Sequence, residues 1–352
     1  MMGATTIKMT GRKTAARERL TAKRLAVMLA VLSLALVALL VVAVAIGSES
    51  VRFATILKII SAEITGRAAS GVTPEQHIII AQIRLPRALM AMVVGAALAV
   101  AGAAYQALLR NPLADPGILG VSSGAAVGAI AATIFADALP VGRPIAAFIG
   151  AGLTIAFVYA LGQGRQGDAS TRLILAGVIT SALLSSIVIF LVTTAGTRQR
   201  SVISWLIGDM GGETSLLPLI ALFVLAGVAV IYVNARSLNL LMVGEADALA
   251  LGVEVGRVKL VVYVAASLLT GAAVAVSGAI GFVGLIIPHA VRLVGGGDNR
   301  LVIPASALAG SAFLLLADTV ARTVIAPLEL NIGVITALVG APVFIYLLRR
   351  TS

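Results

Sequence analysis

The chain offers few side chains for bond-making chemistry, and their spacing narrows the choice further. It contains no cysteine, which removes disulfides, thiolate nucleophiles and thiolate-ligated metals. Its two histidines, His77 and His289, are too few and too far apart for a histidine-rich metal site. No G-x-x-x-x-G-K-[ST] phosphate loop occurs, and Gly11-Arg12-Lys13-Thr14 is only a fragment of one. The chain is therefore not expected to hydrolyse nucleotide, hold a metal or bind a cofactor of its own. A membrane-embedded enzyme would need a ligand cluster, a nucleophile–base pair or paired carboxylates, and none is present. The charge that remains is sparse. Asp318 lies within Leu314-Leu315-Leu316-Ala317-Asp318, inside an apolar run. A carboxylate there is costly and is a functional candidate by default. Arg322, four residues on and on the same helix face, is placed to pair with it, so Asp318 is expected to be structural. His289, next to Pro288, is expected to be a hydrogen-bonded structural histidine, and Trp205 an interfacial anchor of an outer loop.

A second group of charges is acidic and lies outside the apolar runs. Residues 234–257 carry Glu245, Asp247 and Glu254 among Leu240, Leu241, Leu249 and Leu251, with Gly244 and Gly252 bracketing a short amphipathic helix. A helix with an apolar face outside the bilayer needs a partner for that face. Helices that lie on lipid usually carry Lys or Arg on their polar face. This one is acidic, so a protein partner is expected.

The elements that must position these residues are membrane spans. Of 352 residues, 60% are hydrophobic and 12% charged, against about 25% charged in soluble domains. The net charge of +11 would fit nucleic acid. However, seven Lys or Arg precede the first apolar run, as the positive-inside rule produces, and no nucleic-acid partner is expected. Residues 1–24 read as a basic cytoplasmic tail. The run at 25–46 is long enough for a retained span rather than a signal peptide, whose apolar core is about 7–15 residues. A mixed segment, 47–83, holds a short outer surface helix. Nine further spans are expected near 85–109, 117–136, 143–163, 172–194, 215–233, 258–280, 282–295, 302–325 and 332–349. The eighth span contains Pro288 and is expected to be tilted or broken. Ten spans place both termini on one side, and the Lys and Arg bias makes that side cytoplasmic. The fold class is thus an all-α polytopic membrane protein, with 25–350 as one ten-span domain.

One phrase occurs twice. Residues 95–103 read G-A-A-L-A-V-A-G-A and residues 271–279 read G-A-A-V-A-V-S-G-A, with Pro112 and Pro288 at the same offset beyond. The copies fall in the second and seventh spans. Five spans apart, they must cross the membrane in opposite directions, which is an inverted repeat of the kind found in transporters. Their small residues allow close helix approach. An ion-coupled secondary transporter is the alternative reading, but it would require more intramembrane acids or histidines than Asp318 alone.

The chain resembles the FecCD-type permease family of ATP-binding cassette importers over about residues 25–350. The matching motifs are Arg84-Leu85-Pro86-Arg87, Asn111 to Gly120 (N-P-L-A-D-P-G-I-L-G), Leu175-Ala176-Gly177, the Gly244-Glu245 loop, Gly278 to His289 and Gly340-Ala341-Pro342-Val343-Phe344. The resemblance implies a homodimer of permeases in a bacterial inner membrane, on two cytoplasmic ATPase subunits that use ATP and Mg. An external binding protein would deliver a bulky metal chelate, with iron–siderophore first, then haem and cobalamin. It implies ATPase coupling through Gly244, Glu245, Asp247, Leu249, Leu251 and Gly252. Arg84, Arg87 and Arg322, at outer span ends, would dock acidic residues of the binding protein. Asn111, Leu113, Ser170 and Thr171 would narrow the cytoplasmic mouth, and Thr180, Ser181 and Ser185 would line the path. By their residue types alone, the arginines could equally snorkel and the gate residues could equally cap helices and form turns.

Overall fold

The computed structural model describes residues 22–47, 53–65, 71–136, 142–162, 169–212, 214–326 and 328–351. The expected basic tail lies outside them as far as residue 21. The helices are α1 (Ala22–Ala45), α2 (Phe53–Thr65), α3 (Pro74–His77), α4 (Leu85–Leu108), α5 (Val121–Ile134), α6 (Arg143–Gly162), α7 (Ala169–Thr194) and α8 (Gln199–Leu206). They continue as α9 (Leu217–Val233), α10 (Ala235–Val243), α11 (Glu245–Ala250), α12 (Val255–Ser277), α13 (Val283–Gly295), α14 (Asn299–Thr323) and α15 (Ile332–Thr351). Among the described residues, seven helices are long and apolar enough to cross a membrane. Three shorter apolar helices, Val121–Ile134, Val283–Gly295 and Ile332–Leu347, stand where the third, eighth and tenth spans were expected.

Two boundaries differ from expectation for physical reasons. The second span does not begin at residue 85. A capping box at Thr73 and Gln76 starts α3, and a π-helical segment, Ile78–Arg84, carries it into α4 without a break. The polar Glu75, Gln76 and His77 read as loop because their helix protrudes beyond the apolar core. The eighth span is broken before α13 rather than at Pro288. Residues 278–281 are non-helical, Gly278 takes φ +69° and Phe282 takes φ 70°. Pro288 lies inside α13. A proline in a helix leaves the carbonyl four residues earlier without its donor, and here Gln106 Nε2 donates to that Gly284 carbonyl at 3.4 Å and to Leu285 at 3.1 Å.

The core is built on α4, α12 and α14. Between lipid-embedded helices there is no hydrophobic drive, so close van der Waals packing must hold them. A Cβ on Gly95 would lie 2.2 Å from the Gly310 carbonyl oxygen, one on Gly310 would lie 2.4 Å from that of Gly95, and one on Gly102 would lie 1.9 Å from that of Gly284. Only backbone-to-backbone contact fits there. Ser311 Oγ donates to the Met92 carbonyl at 2.7 Å, which extends the α4–α14 seam. The repeat copies do run in opposite directions. Near the end of α4, the Tyr105 and Ser267 hydroxyls share a hydrogen bond, while Leu98 earlier in α4 and Thr270 later in α12 line one cavity of about 170 Å³. From α12 itself, Tyr263 donates to the Ile155 carbonyl in α6 at 3.3 Å. The helices α7 and α9 are different, with apolar side chains such as Leu183, Phe190, Leu222 and Leu225 exposed.

Candidate functional sites at the two ends of the bundle

At one end the helix termini gather arginines. Asp318 is fully buried and accepts on both oxygens, from Arg322 Nε at 2.9 Å and from Arg87 Nε at 3.0 Å. Arg322 also donates to the Ala43 carbonyl at 3.2 Å, and Arg87 to Glu329 at 2.7 Å. Arg84 donates to the Val44 and Ala45 carbonyls at 3.2 and 3.4 Å, so it closes the C-terminal end of α1. The expected Asp318–Arg322 pair is present. Its third member, Arg87, comes from a helix 231 residues away in sequence, and no local spacing signals it. Of the three arginines, Arg84 and Arg322 are buried, at 5% and 7% exposure. Arg87, reaching the exposed Glu329, is the one that approaches the surface. Trp205 is not an interfacial anchor. It is buried in the core, and its carbonyl oxygen would lie 2.0 Å from a Cβ on Gly278, so it packs on the break before α13.

At the other end, α10 and α11 form the acidic loop. Glu245 turns inward, pairing with Lys259 of α12 and with Arg110 Nη2 at 3.6 Å. Ala248 is buried beneath α11. Asp247, in the first turn, stays exposed, where a carboxylate favours the positive helix start. The outward face is apolar, with Val243 70%, Leu249 59% and Leu251 67% exposed. Gly244 is extended, and Gly252 takes φ +82° with open space around it. On the inner side, Asn239 of α10 donates to Asp298 Oδ1 at 2.8 Å and accepts from the Asn299 amide at 2.8 Å. Asp298 caps α14 and is held by Arg300. The hydrogen bonds of the Arg300 side chain, opposed by burial and helped by the Arg300 amide and Asn239, bring its carboxyl down to about 2.

The other expected residues are spread out. Asn111 Oδ1 accepts from the Leu113 amide at 2.9 Å, forming a turn, and Leu113 and Thr171 are exposed. The side chain of Ser170 lies outside the described residues. On α7, Thr180 is buried, Ser181 is half-buried facing Gly120, and Ser185 is exposed. The hydroxyls therefore divide between a packed and an open face. Among the described residues no three His, Asp or Glu side chains converge as metal ligands do.

A glycine-seamed bundle of membrane-length helices with such an acidic loop matches one family along nearly its whole length. The model of the FecCD transport family covers residues 34–350. The chain belongs to the FecCD transport family. A cobalamin import system permease protein of Halobacterium salinarum is 46% identical over 284 residues, 79% of this chain and 75% of that one. A hemin transport system permease protein of Yersinia pestis is 42% identical over 275 residues, 76% of this chain and 82% of that one. Among solved structures, an inward-facing ABC transporter of the metal-chelate type superposes with TM-score 0.78 at 33% identity, covering 92% of this chain and 99% of that one. The FecCD relatives are transport permeases, and this chain shares their multi-pass helical architecture.

Proposed function

We propose that the chain is the permease subunit of a binding-protein-dependent ATP-binding cassette importer that moves a bulky metal chelate into the cytoplasm by alternating access. One observation carries this reading. The acidic helix α11 is anchored to the bundle by Glu245 while Leu249 and Leu251 stand exposed beyond the membrane-length helices. An apolar face carried outside the bilayer is a seat for a protein, here the ATPase subunit. The names of the relatives point to cobalamin and haem, and the family motifs to iron–siderophore chelates, as the class of cargo. The permease works as a homodimer on two ATPase subunits in a bacterial cytoplasmic membrane, with the loop end and both termini cytoplasmic. The arginine end faces the binding protein, and Arg87 with Glu329 forms the accessible part of that docking surface.

The narrow mouth falls at Asn111, Leu113, Ser170 and Thr171, and the path runs along the open face of α7 at Ser185. ATP and Mg act in the partner, and this chain transmits the resulting motion. Proton coupling fits less well, because two arginines already occupy the carboxylate of Asp318. Purified permease, ATPase and binding protein in liposomes test the proposal. Chelate uptake should require ATP and both partners. Uptake that follows a proton gradient without the ATPase would contradict it.

A further inference from the structure

The loop that would meet the ATPase is tied to the bundle at two places, one through each of its helices. Along the chain, α11 leads to α12 through Leu251–Glu254. This stretch is largely exposed; Gly252 takes φ +82° with open space where a Cβ would lie, and the Gly252 and Val253 amides close α11 by donating to the Leu249 and Ala248 carbonyls at 3.0 Å. Back on α12, Lys259 pairs with Glu245, both partly exposed, and Ala248 beneath α11 is buried.

Across the fold, α10 is held by a buried hydrogen-bond cluster. Asn239 of α10 exchanges two hydrogen bonds of 2.8 Å with the cap of α14, one to Asp298 Oδ1 and one from the Asn299 amide. Asn299 is fully buried. Its side chain contacts Met242 Sδ of α10 at 3.3 Å and accepts from Arg292 of α13 at 3.0 Å. Arg292 also donates to the Ala103 carbonyl of α4 at 3.3 Å. α10 is thus clamped to α14, α13 and α4, while α11 pairs with α12 through Glu245 and Lys259. From the clamp, α14 runs 25 residues, about 37 Å at 1.5 Å per residue. It is seamed to α4 at Gly310–Gly95 and Ser311–Met92 and ends in the Arg87–Asp318–Arg322 network.

We propose that Asn239 is a positioning residue that makes α10 and α14 one rigid body, so that displacement of the loop by the ATPase is delivered across the fold to the α4–α14 pair and through it to the arginine end. Coupling between distant sites requires packed elements that move as units, and the clamp makes such a unit. Asn239 touches neither cargo nor ATPase, since it lies on the inner side of α10. This rests on the importer reading above.

The test uses the complete importer in lipid nanodiscs and liposomes. The absence of cysteine allows spin labels to be placed at will. One pair is Arg236→Cys, on the exposed side of α10, with Leu316→Cys (α10 to the far part of α14). The other is Arg236→Cys with Phe157→Cys (α10 to α6). Labelled chain is diluted with unlabelled chain so that only distances within one protomer are read. Between nucleotide-free and nucleotide-trapped states the first distance should stay fixed while the second changes. Asn239→Ala should keep the ATPase bound and hydrolysing, release the first distance, and lower cargo moved per ATP about tenfold, within the usual range for coupling between sites. Asn239→Asp alone sets a carboxylate against Asp298 and should behave as badly, whereas Asn239→Asp with Asp298→Asn restores the exchange and should recover both readouts. A first distance that changes as much as the second in the parent protein, or full coupling in Asn239→Ala, would overturn the proposal. ATP-independent behaviour of the unlabelled parent importer would instead sink the importer reading, so the two failures are distinguishable.

Discussion

The two ends of the bundle treat charge in opposite ways. At the arginine end, three guanidinium groups point mostly inward and are spent on Asp318, Glu329 and the carbonyls that close α1. At the loop end, the acidic Glu245 also turns inward, but only to hold up a face of exposed leucines. In the first case the ion network is buried structure with a small accessible fringe. In the second the ion pair is a bracket and the apolar surface is the working part. Sequence position alone does not separate these cases, because both are charges near the ends of apolar runs.

The largest effect should come from the buried network. Asp318→Ala leaves Arg87 and Arg322 without their carboxylate, and breaking a buried pair costs about 3–5 kcal/mol. Denaturation in detergent should show a loss of that size, whereas Glu245→Ala, half in solvent, should cost under about 1 kcal/mol. Equal losses would erase the distinction between the ends.

Next comes the leucine face. Leu249→Ser with Leu251→Ser should leave thermal stability unchanged, since both side chains are exposed. It should nevertheless weaken retention of the ATPase by tenfold or more, at about 1.5–3 kcal/mol for each buried leucine. Co-purification at graded ATPase concentration measures this.

A smaller effect is expected at the fringe of the arginine end. Glu329→Gln, at the exposed edge of that network, should change binding-protein affinity more at low salt than at high salt, because exposed charges are screened over about 8 Å at physiological ionic strength. Arg84→Gln, whose guanidinium is buried against α1, should alter stability instead. A titration by calorimetry at two salt concentrations distinguishes them.

The smallest effect is at Asp298. Its carboxyl is held at about 2, below the ordinary value of about 3.9. A carboxyl with a depressed folded value contributes stability above its unfolded value and loses it as pH falls through the folded one. The stability difference between the parent and Asp298→Asn should therefore be flat from pH 8 to 5 and fade between about pH 4 and about pH 2.

Much of the architecture was legible in the sequence because single physical demands leave local marks. The repeated phrase carries Gly95 and Gly102 where only backbone fits against backbone, so its recurrence exposed both the duplication and its inverted direction. Asp318 and Arg322 were readable because a helix places residues four apart on one face. The acidic helix at 245–250 stood out because charge of that sign is wrong for lipid. What escaped depended on distance or on a partner in another element. The closure of Arg87 onto Asp318 and of Asn239 onto Asp298 crosses several helices, and nothing in their immediate neighbours marks it. The inward turn of Glu245 needed Lys259 and Arg110 in place. Pro288 was read as a break because prolines usually are, but Gln106 supplies the donor that lets α13 continue through it.

Reconstituted transport is the most direct test of the central claim. Liposomes holding the permease with its ATPase, supplied with binding protein and a labelled metal chelate outside and ATP at the loop side, should accumulate chelate only while ATP is hydrolysed, and Leu249→Ser with Leu251→Ser should abolish accumulation in stable protein. Accumulation without the ATPase, or unchanged uptake by that variant, would contradict the account.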